Sequence, residues 1–201
     1  MNQNILLHPH DHKKIKDWQL ILNFIESNLK DKKIDSVLEL GGGLGNIAYC
    51  FALKNASAIV EDINDDYLQQ AKNRHPKINI LNHDINTPLP FSENSFDLVT
   101  CTGTLHYGYI QDVHKILAEM ARVSRRYLLI DFLSRYAPYR FLEKIYNPHY
   151  APLTYSRKEV FNLLKNCQLK SMALTGSKTF PPLNGWLPFT GKTVYCLCER
   201  F

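Results

Sequence analysis

Val37-Leu38-Glu39-Leu40-Gly41-Gly42-Gly43-Leu44-Gly45-Asn46 sets a short apolar run directly ahead of four glycines in five positions. The run reads as a buried strand, and the residues from Asn46 onward read as a helix. Glycines between a strand and a helix let the backbone turn sharply, and let a ligand lie against the main chain with no Cβ in the way. The loop ends at a helix N-terminus, where free N–H groups point outward. A strand, glycine loop and helix in this order suit a nucleotide-like cofactor.

The flanking sequence repeats the alternation of strand and helix. Upstream, Ile15, Trp18, Leu22, Ile25 and Leu29 recur at spacings of three and four, which predicts an amphipathic helix over 12–30. Downstream, helices are expected at 46–54, 65–74 and 110–123, with strands at 36–40, 57–61, 77–81, 96–101 and 127–130. His75-Pro76 stops the second of these helices, because the residue before proline is pushed out of helical geometry. Tyr127-Leu128-Leu129-Ile130 is too apolar to have a wet face. Such strands alternating with helices predict βαβ units and a parallel sheet covered on both sides. Ser156 with Glu159 three residues on is a capping-box pattern for a further helix. Segments near 168–175 and 193–199 then predict a closing hairpin across the loop Phe180–Gly191. No repeat or linker stands out, so one domain is expected over 1–201, with an aromatic insertion at 134–155.

Bulk properties narrow the class. The 201 residues are 45% hydrophobic and 21% charged, as in a soluble globular protein with an ample core. No apolar run reaches the roughly 18 residues of a membrane span. Met1–Ile5 lacks the basic and apolar regions of a secretory signal. Cys50, Cys101, Cys167, Cys196 and Cys198 are odd in number and form no CxxC pair, so reduced thiols and a cytoplasmic location are expected. Cys196 and Cys198 alternate on a strand and read as core thiols. A net charge of +5 without a block of basic residues gives no strong nucleic-acid signal. His8-Pro9-His10-Asp11-His12 does not have metal-site spacing, and no metal is expected there.

Two nucleotide chemistries fit the loop by itself. Gly43-x-Gly45-x-x-Ala48 meets the looser dinucleotide fingerprint, which leaves a nicotinamide-dependent oxidoreductase open. A Walker phosphate loop is absent, since no Gly-Lys-Ser/Thr follows. The remaining motifs separate the two. Glu39 followed by Gly41-x-Gly43-x-Gly45 resembles the first motif of the class I S-adenosylmethionine-dependent methyltransferases. Asp62 ends the second strand, and Asn82-His83-Asp84 the third. Leu89-Pro90-Phe91 with Ser95-Phe96-Asp97-Leu98-Val99, then Leu105-His106-Tyr107, then Glu119-Met120-Ala121-Arg122-Val123, resemble successive elements of the small-molecule, UbiE-like branch of that family. These motifs fall in order over residues 34–132. Two departures stand out. Ser124-Arg125-Arg126 replaces the usual Pro-Gly-Gly, implying a shorter or differently shaped turn before strand five. Gly42 stands where many relatives have Cys, Thr or Ser, which is expected to be harmless.

The resemblance implies a Rossmann-like three-layer α/β sandwich, with a mostly parallel seven-stranded sheet and a C-terminal antiparallel hairpin. It implies S-adenosylmethionine as cofactor and in-line methyl transfer to a small-molecule acceptor. Gly41, Gly43 and Gly45 would let the backbone approach the cofactor. Glu39 would orient the loop or reach the cofactor's amino group. Asp62 would accept from the ribose diol, and Ile63 would lie beside it. Asp84 would accept from the adenine amino group, with Ile85 packing on the ring. Thr102, Gly103 and Thr104 would line the methionine end. His106, at the carboxyl end of strand four, is either a general base for the acceptor or a packing residue. Asp131 is either a second such base or a structural acceptor. The tyrosines of 136–155 and the first helix would close over the acceptor or simply pack on the sheet. Two alternatives stay open beside the oxidoreductase: a methyltransferase fold acting on RNA or protein, or one binding them without catalysis. The closing hairpin offers an edge strand through which a homo-oligomer would pair.

Overall fold

The computed structural model describes residues 15–138, 145–146, 149, 151–177 and 188–200. The histidines between His8 and His12, and Tyr139, Phe141 and Tyr150 of the aromatic segment, lie outside the described residues. The chain divides into two compact units, with the boundary between residues 32 and 33. The first contains α1 (Ile15–Leu29), where Gln19 Nε2 donates to Asn23 Oδ1 at 2.8 Å, one turn on.

The second unit carries β1 (Ser36–Leu40), α2 (Asn46–Ala52), β2 (Ser57–Asp62), α3 (Asp65–Arg74), β3 (Asn79–Asn82) and β4 (Phe96–Cys101). It continues with α4 (Val113–Val123), β5 (Ser124–Leu133), α5 (Arg157–Asn166), β6 (Leu169–Ser177) and β7 (Thr193–Arg200). The sheet order is β3-β2-β1-β4-β5-β7-β6. Strands β1 to β5 pair in parallel, and β7 runs antiparallel between β5 and β6. A seventh strand inserted against the run separates this sheet from the six-stranded dinucleotide-binding order 3-2-1-4-5-6.

Side chains alternate across each strand, so each face gathers its own core. On one face Leu38, Leu40, Val99, Cys101, Leu128 and Ile130 bury against Ile116, Leu117 and Met120 of α4 and Val160 and Leu164 of α5. On the other, Ala58 and Val60 of β2 meet the small residues Ala48 and Ala52 of α2 and Leu68 and Ala71 of α3. Cys196 and Cys198 both lie in the first of these cores, and all five cysteines are free thiols. Asp97 fixes where the sheet starts: its Oδ2 accepts the Asp35 and Ser36 N–H groups at 2.9 and 3.0 Å.

Three expectations change. Helix α4 starts at Val113, because the Asp112 carboxylate accepts the His114 and Lys115 N–H groups and so sets the N-cap. No turn of any shape replaces Pro-Gly-Gly: α4 ends at Val123 and β5 begins at Ser124. The register shifts between Phe96↔Ser124 and Leu98↔Tyr127, so a β-bulge absorbs the extra residue. Arg125 there pairs with Asp97, and Arg126 reaches Glu199 at 2.9 Å. Strand β5 is ten residues long, well beyond the apolar 127–130. The capping box forms as expected, with the Glu159 N–H on Ser156 Oγ at 3.3 Å and the Ser156 N–H on Glu159 Oε2 at 2.7 Å. Among the described residues, no helix is long and apolar enough to cross a membrane, and no group of three or more His, Cys, Asp or Glu is arranged to hold a metal ion.

Candidate cofactor site

The glycine loop leaves β1 at the carboxyl end of the sheet, and the end of β2 holds it by three successive N–H groups. Gly41 N–H donates to Glu61 Oε2 at 3.0 Å, Gly42 N–H to the Glu61 carbonyl at 2.9 Å, and Gly43 N–H to Asp62 Oδ2 at 2.9 Å. Glu61 and Asp62 face opposite sides of the sheet, so the loop is gripped from both. From below, buried Glu39 accepts the Ala48 N–H at 2.7 Å through Oε2. Burial pushes its carboxyl up to about 7. Glu39 therefore orients the loop and caps the start of α2. Gly45 is the αL N-cap of that helix, packed against Val60 and Ile78.

Gly41 needs to be glycine twice over. Its φ is +57°, and a Cβ would run into Thr104, whose Oγ1 donates to the Gly41 carbonyl at 3.2 Å. Gly43 has an equally left-handed φ of +53°, but a Cβ there would meet nothing within 4 Å. The space above Gly43 is where a ligand can lie on bare backbone. Gly42 is not interchangeable with the larger residues of relatives: a Cβ would lie 2.8 Å from both Glu39 Cγ and Val60 Cγ1.

Asp62 caps the far side of the loop. Its second oxygen accepts the Asn64 N–H at 2.9 Å, while Asn64 itself is the N-cap of α3. Ile63 beside it is 58% exposed, an apolar side chain left in solvent at the rim of the site. Asp84 follows β3 and takes the Asn86 N–H and Nδ2 groups on Oδ1, both at 2.9 Å. Ile85, next in the chain, is buried with Leu89 and residues of α4.

After β4, Gly103 takes φ +77° and has no atom within 4 Å of a notional Cβ, the same openness as Gly43. Its N–H donates to Asp131 Oδ1 at 2.9 Å. Asp131 is buried, which pushes its carboxyl up to about 7. The carboxylate thus fixes the loop that holds Thr102, which is half-buried, and Gly103. His106 is half-buried and tilted against Tyr107 at 4.5 Å between ring centroids. Tyr107 stacks on Tyr109 at 5.7 Å, and these two tyrosines are 46% and 49% exposed. Asn86 ties this loop to the β3 end, donating to the Tyr109 carbonyl and accepting the Gln111 N–H.

The expected residues therefore lie toward one end of the sheet. Sequence reasoning missed Glu61, His83, Asn86 and Tyr109. A carboxylate inside the apolar run Ala58-Ile59-Val60-Glu61 was the one available signal. Backbone left bare at two αL glycines, carboxylates at the ends of β2 and β3, and an exposed apolar side chain between them fit an adenosine-type cofactor.

Comparison with known proteins agrees. Residues 37–126 match a family model described as a methyltransferase domain. The ubiquinone/menaquinone biosynthesis C-methyltransferase UbiE of Francisella tularensis subsp. novicida (strain U112) is 33% identical over 129 residues, covering 59% of this chain and 50% of that protein. An uncharacterised methyltransferase, YcgJ of Bacillus subtilis (strain 168), is 31% identical over 109 residues, covering 51% of this chain and 41% of that protein. The chain thus spans about half the length of the curated UbiE relatives it matches. Among solved structures, magnesium protoporphyrin IX methyltransferase (ChlM) from Synechocystis PCC 6803 with bound SAH superposes with a TM-score of 0.72 at 14% identity, over 92% of this chain and 83% of that one. A TehB-like SAM-dependent methyltransferase from Corynebacterium glutamicum ATCC 13032 gives 0.62 at 14% identity, over 96% and 98%. At such identities the likeness is one of fold. The motifs, the sheet order and the matched segment agree: residues 37–126 are similar to a methyltransferase domain, and the sheet has the methyltransferase fold.

Proposed function

We propose that the chain transfers a methyl group from S-adenosylmethionine to a small-molecule acceptor. The observation that carries this reading is the glycine loop laced to Glu61 and Asp62, with Gly43 and Gly103 leaving bare backbone on either side of it. The cofactor, when bound, supplies a methyl group on a sulfonium leaving group, so the protein's task is positioning and water exclusion.

The residues divide that task. Asp62 accepts the ribose diol, trading one of its present backbone contacts for it. Ile63 covers one face of the adenine, and Asp84 accepts from the ring's amino group. Thr102 and Gly103 lie against the methionine end. Glu39 and Asp131 act at one remove, as positioning residues for the two loops. His106 takes the proton from an acceptor O–H or N–H as the new bond forms. Tyr107 and Tyr109 offer half-exposed ring faces beside it, which supports an apolar or ring-bearing acceptor. The Francisella relatives, named for ubiquinone and menaquinone biosynthesis, point to the same acceptor class. Function in the cytoplasm belongs to this reading.

Calorimetric titration with S-adenosylmethionine, S-adenosylhomocysteine and NADH tests it, with Asp62→Ala alongside. Micromolar binding of both sulfur ligands, lost in the variant, is expected. Failure of both to bind overturns the enzyme reading, and binding of NADH instead returns the glycine loop to dinucleotide chemistry. Steep salt-dependent binding of RNA would favour a nucleic-acid acceptor.

A further inference from the structure

Glu61 is 1% exposed, on the α4 face of the sheet, and only one of its carboxyl oxygens is satisfied. Oε2 accepts the Gly41 N–H, while Oε1 has no hydrogen-bond partner. The nearest complementary atom is His83 Nδ1 at 3.6 Å, which is also buried and also without a partner. Two orphaned polar atoms facing each other inside a core are costly unless a proton joins them.

The other side of the imidazole shows which nitrogen holds hydrogen. His83 Nε2 lies 3.2 Å from the Pro88 carbonyl, which can only accept. It also lies 3.0 Å from Thr87 Oγ1, whose own hydrogen goes to the Asp84 carbonyl at 2.8 Å. Both neighbours therefore require a donor at Nε2. In the neutral ring Nδ1 is then bare and accepts. A single proton between Glu61 Oε1 and His83 Nδ1 would satisfy both atoms and leave the pair neutral; its loss leaves one negative charge beneath the glycine loop.

We propose that Glu61, with His83 as its proton partner, is a loop-positioning residue whose charge state sets how strongly the site prefers the cationic cofactor over its neutral-sulfur product. The inference rests on the methyltransferase reading above. Other ionisable groups share the neighbourhood. Asp62 and Asp84 oppose the ionisation of Glu61, and Cys101 and Tyr109 feel its charge in turn. Buried Glu39 stands across β1 and also acts on Cys101. Burial and the two neighbouring acids outweigh the Gly41 hydrogen bond and push Glu61 up to about 8. As pH rises through that value the site gains negative charge. S-adenosylmethionine, with its sulfonium, then gains affinity relative to S-adenosylhomocysteine, which lacks only that charge and the methyl.

The test is the ratio of the two dissociation constants, measured by calorimetry from pH 6 to 9 on the full chain and on Glu61→Gln. Glutamine keeps an oxygen for the Gly41 N–H but cannot ionise. The wild-type preference for S-adenosylmethionine should rise on the order of tenfold across the range; Glu39 and Asp131 contribute near pH 7 in both proteins, and the part of the rise centred near 8 should be missing from the variant. The Gly41 amide resonance of the wild-type protein should titrate with a midpoint near 8, a readout that needs no variant. A flat wild-type ratio, an unchanged slope in Glu61→Gln, or a Gly41 resonance that does not move would overturn the proposal while leaving the methyltransferase reading intact. Absence of binding by both ligands would overturn both.

Discussion

Single residues at the loop carry sharp consequences, because so little space separates them. Asp62→Ala removes the acceptor for Gly43 and, on the proposed function, the one for the cofactor's ribose hydroxyls; S-adenosylmethionine affinity should fall on the order of 100-fold by calorimetry. Gly42→Ser drives a Cβ into Glu39 and Val60, and should lower the stability to urea by about 1–3 kcal/mol. His106→Gln separates chemistry from binding. If His106 is the base, turnover should drop about 100-fold or more while S-adenosylhomocysteine affinity stays put; equal losses in both would make it a packing residue. At this scale the turn of the loop was legible in the spacing of Gly41 and Gly43, both of which take left-handed backbone. The sequence was silent on Glu61 and His83, whose roles come from which way two strand ends point.

Helices and strands were legible in kind and less so in extent, since their ends depend on particular hydrogen bonds. Periodicity alone carries α4 back to Ile110, but Ile110 N–H closes a turn on the Tyr107 carbonyl and Asp112 starts the helix. The fifth strand outruns its apolar stretch because Arg125 and Arg126 find carboxylates at the bulge. The start of α5 was visible in Ser156 and Glu159 alone, because a capping box is local. Ser156→Ala should cost about 1 kcal/mol in a urea titration. Ser156 hydrogen bonds, and then Arg135, hold Glu159 down to about 2. Its folded pKa lies below the unfolded one, so its contribution is present above about pH 4.5 and is lost as pH falls toward 2. Melting curves of Glu159→Gln should therefore lose part of the acid-side decline; an unchanged acid limb would show that the box adds nothing there.

The whole second unit should respond to pH in the opposite direction as well. Glu39 and Asp131 are raised to about 7 by burial, so the folded state keeps protons that the unfolded chain has already released. Their stabilising effect is full below about pH 4 and fades as pH climbs toward 7. The melting temperature without cofactor should fall between about pH 5 and 8, and Asp131→Asn, which can still accept from Gly103, should flatten that slope. Strand alternation and motif order made the sheet readable as a whole, while its one antiparallel strand could be placed only as part of a hairpin. That strand has a bearing on synthesis. β7 follows β6 in sequence yet sits between β5 and β6, and Arg200 clasps the Ser124 and Arg122 carbonyls at 2.9 and 3.3 Å. While the ribosome still holds residues 193–200, β6 has no neighbour to join, and the outer edge of β5 stays open. The nascent chain thus carries an open half-sheet until β7 emerges, an interval in which the edge of β5 is free to pair with other chains.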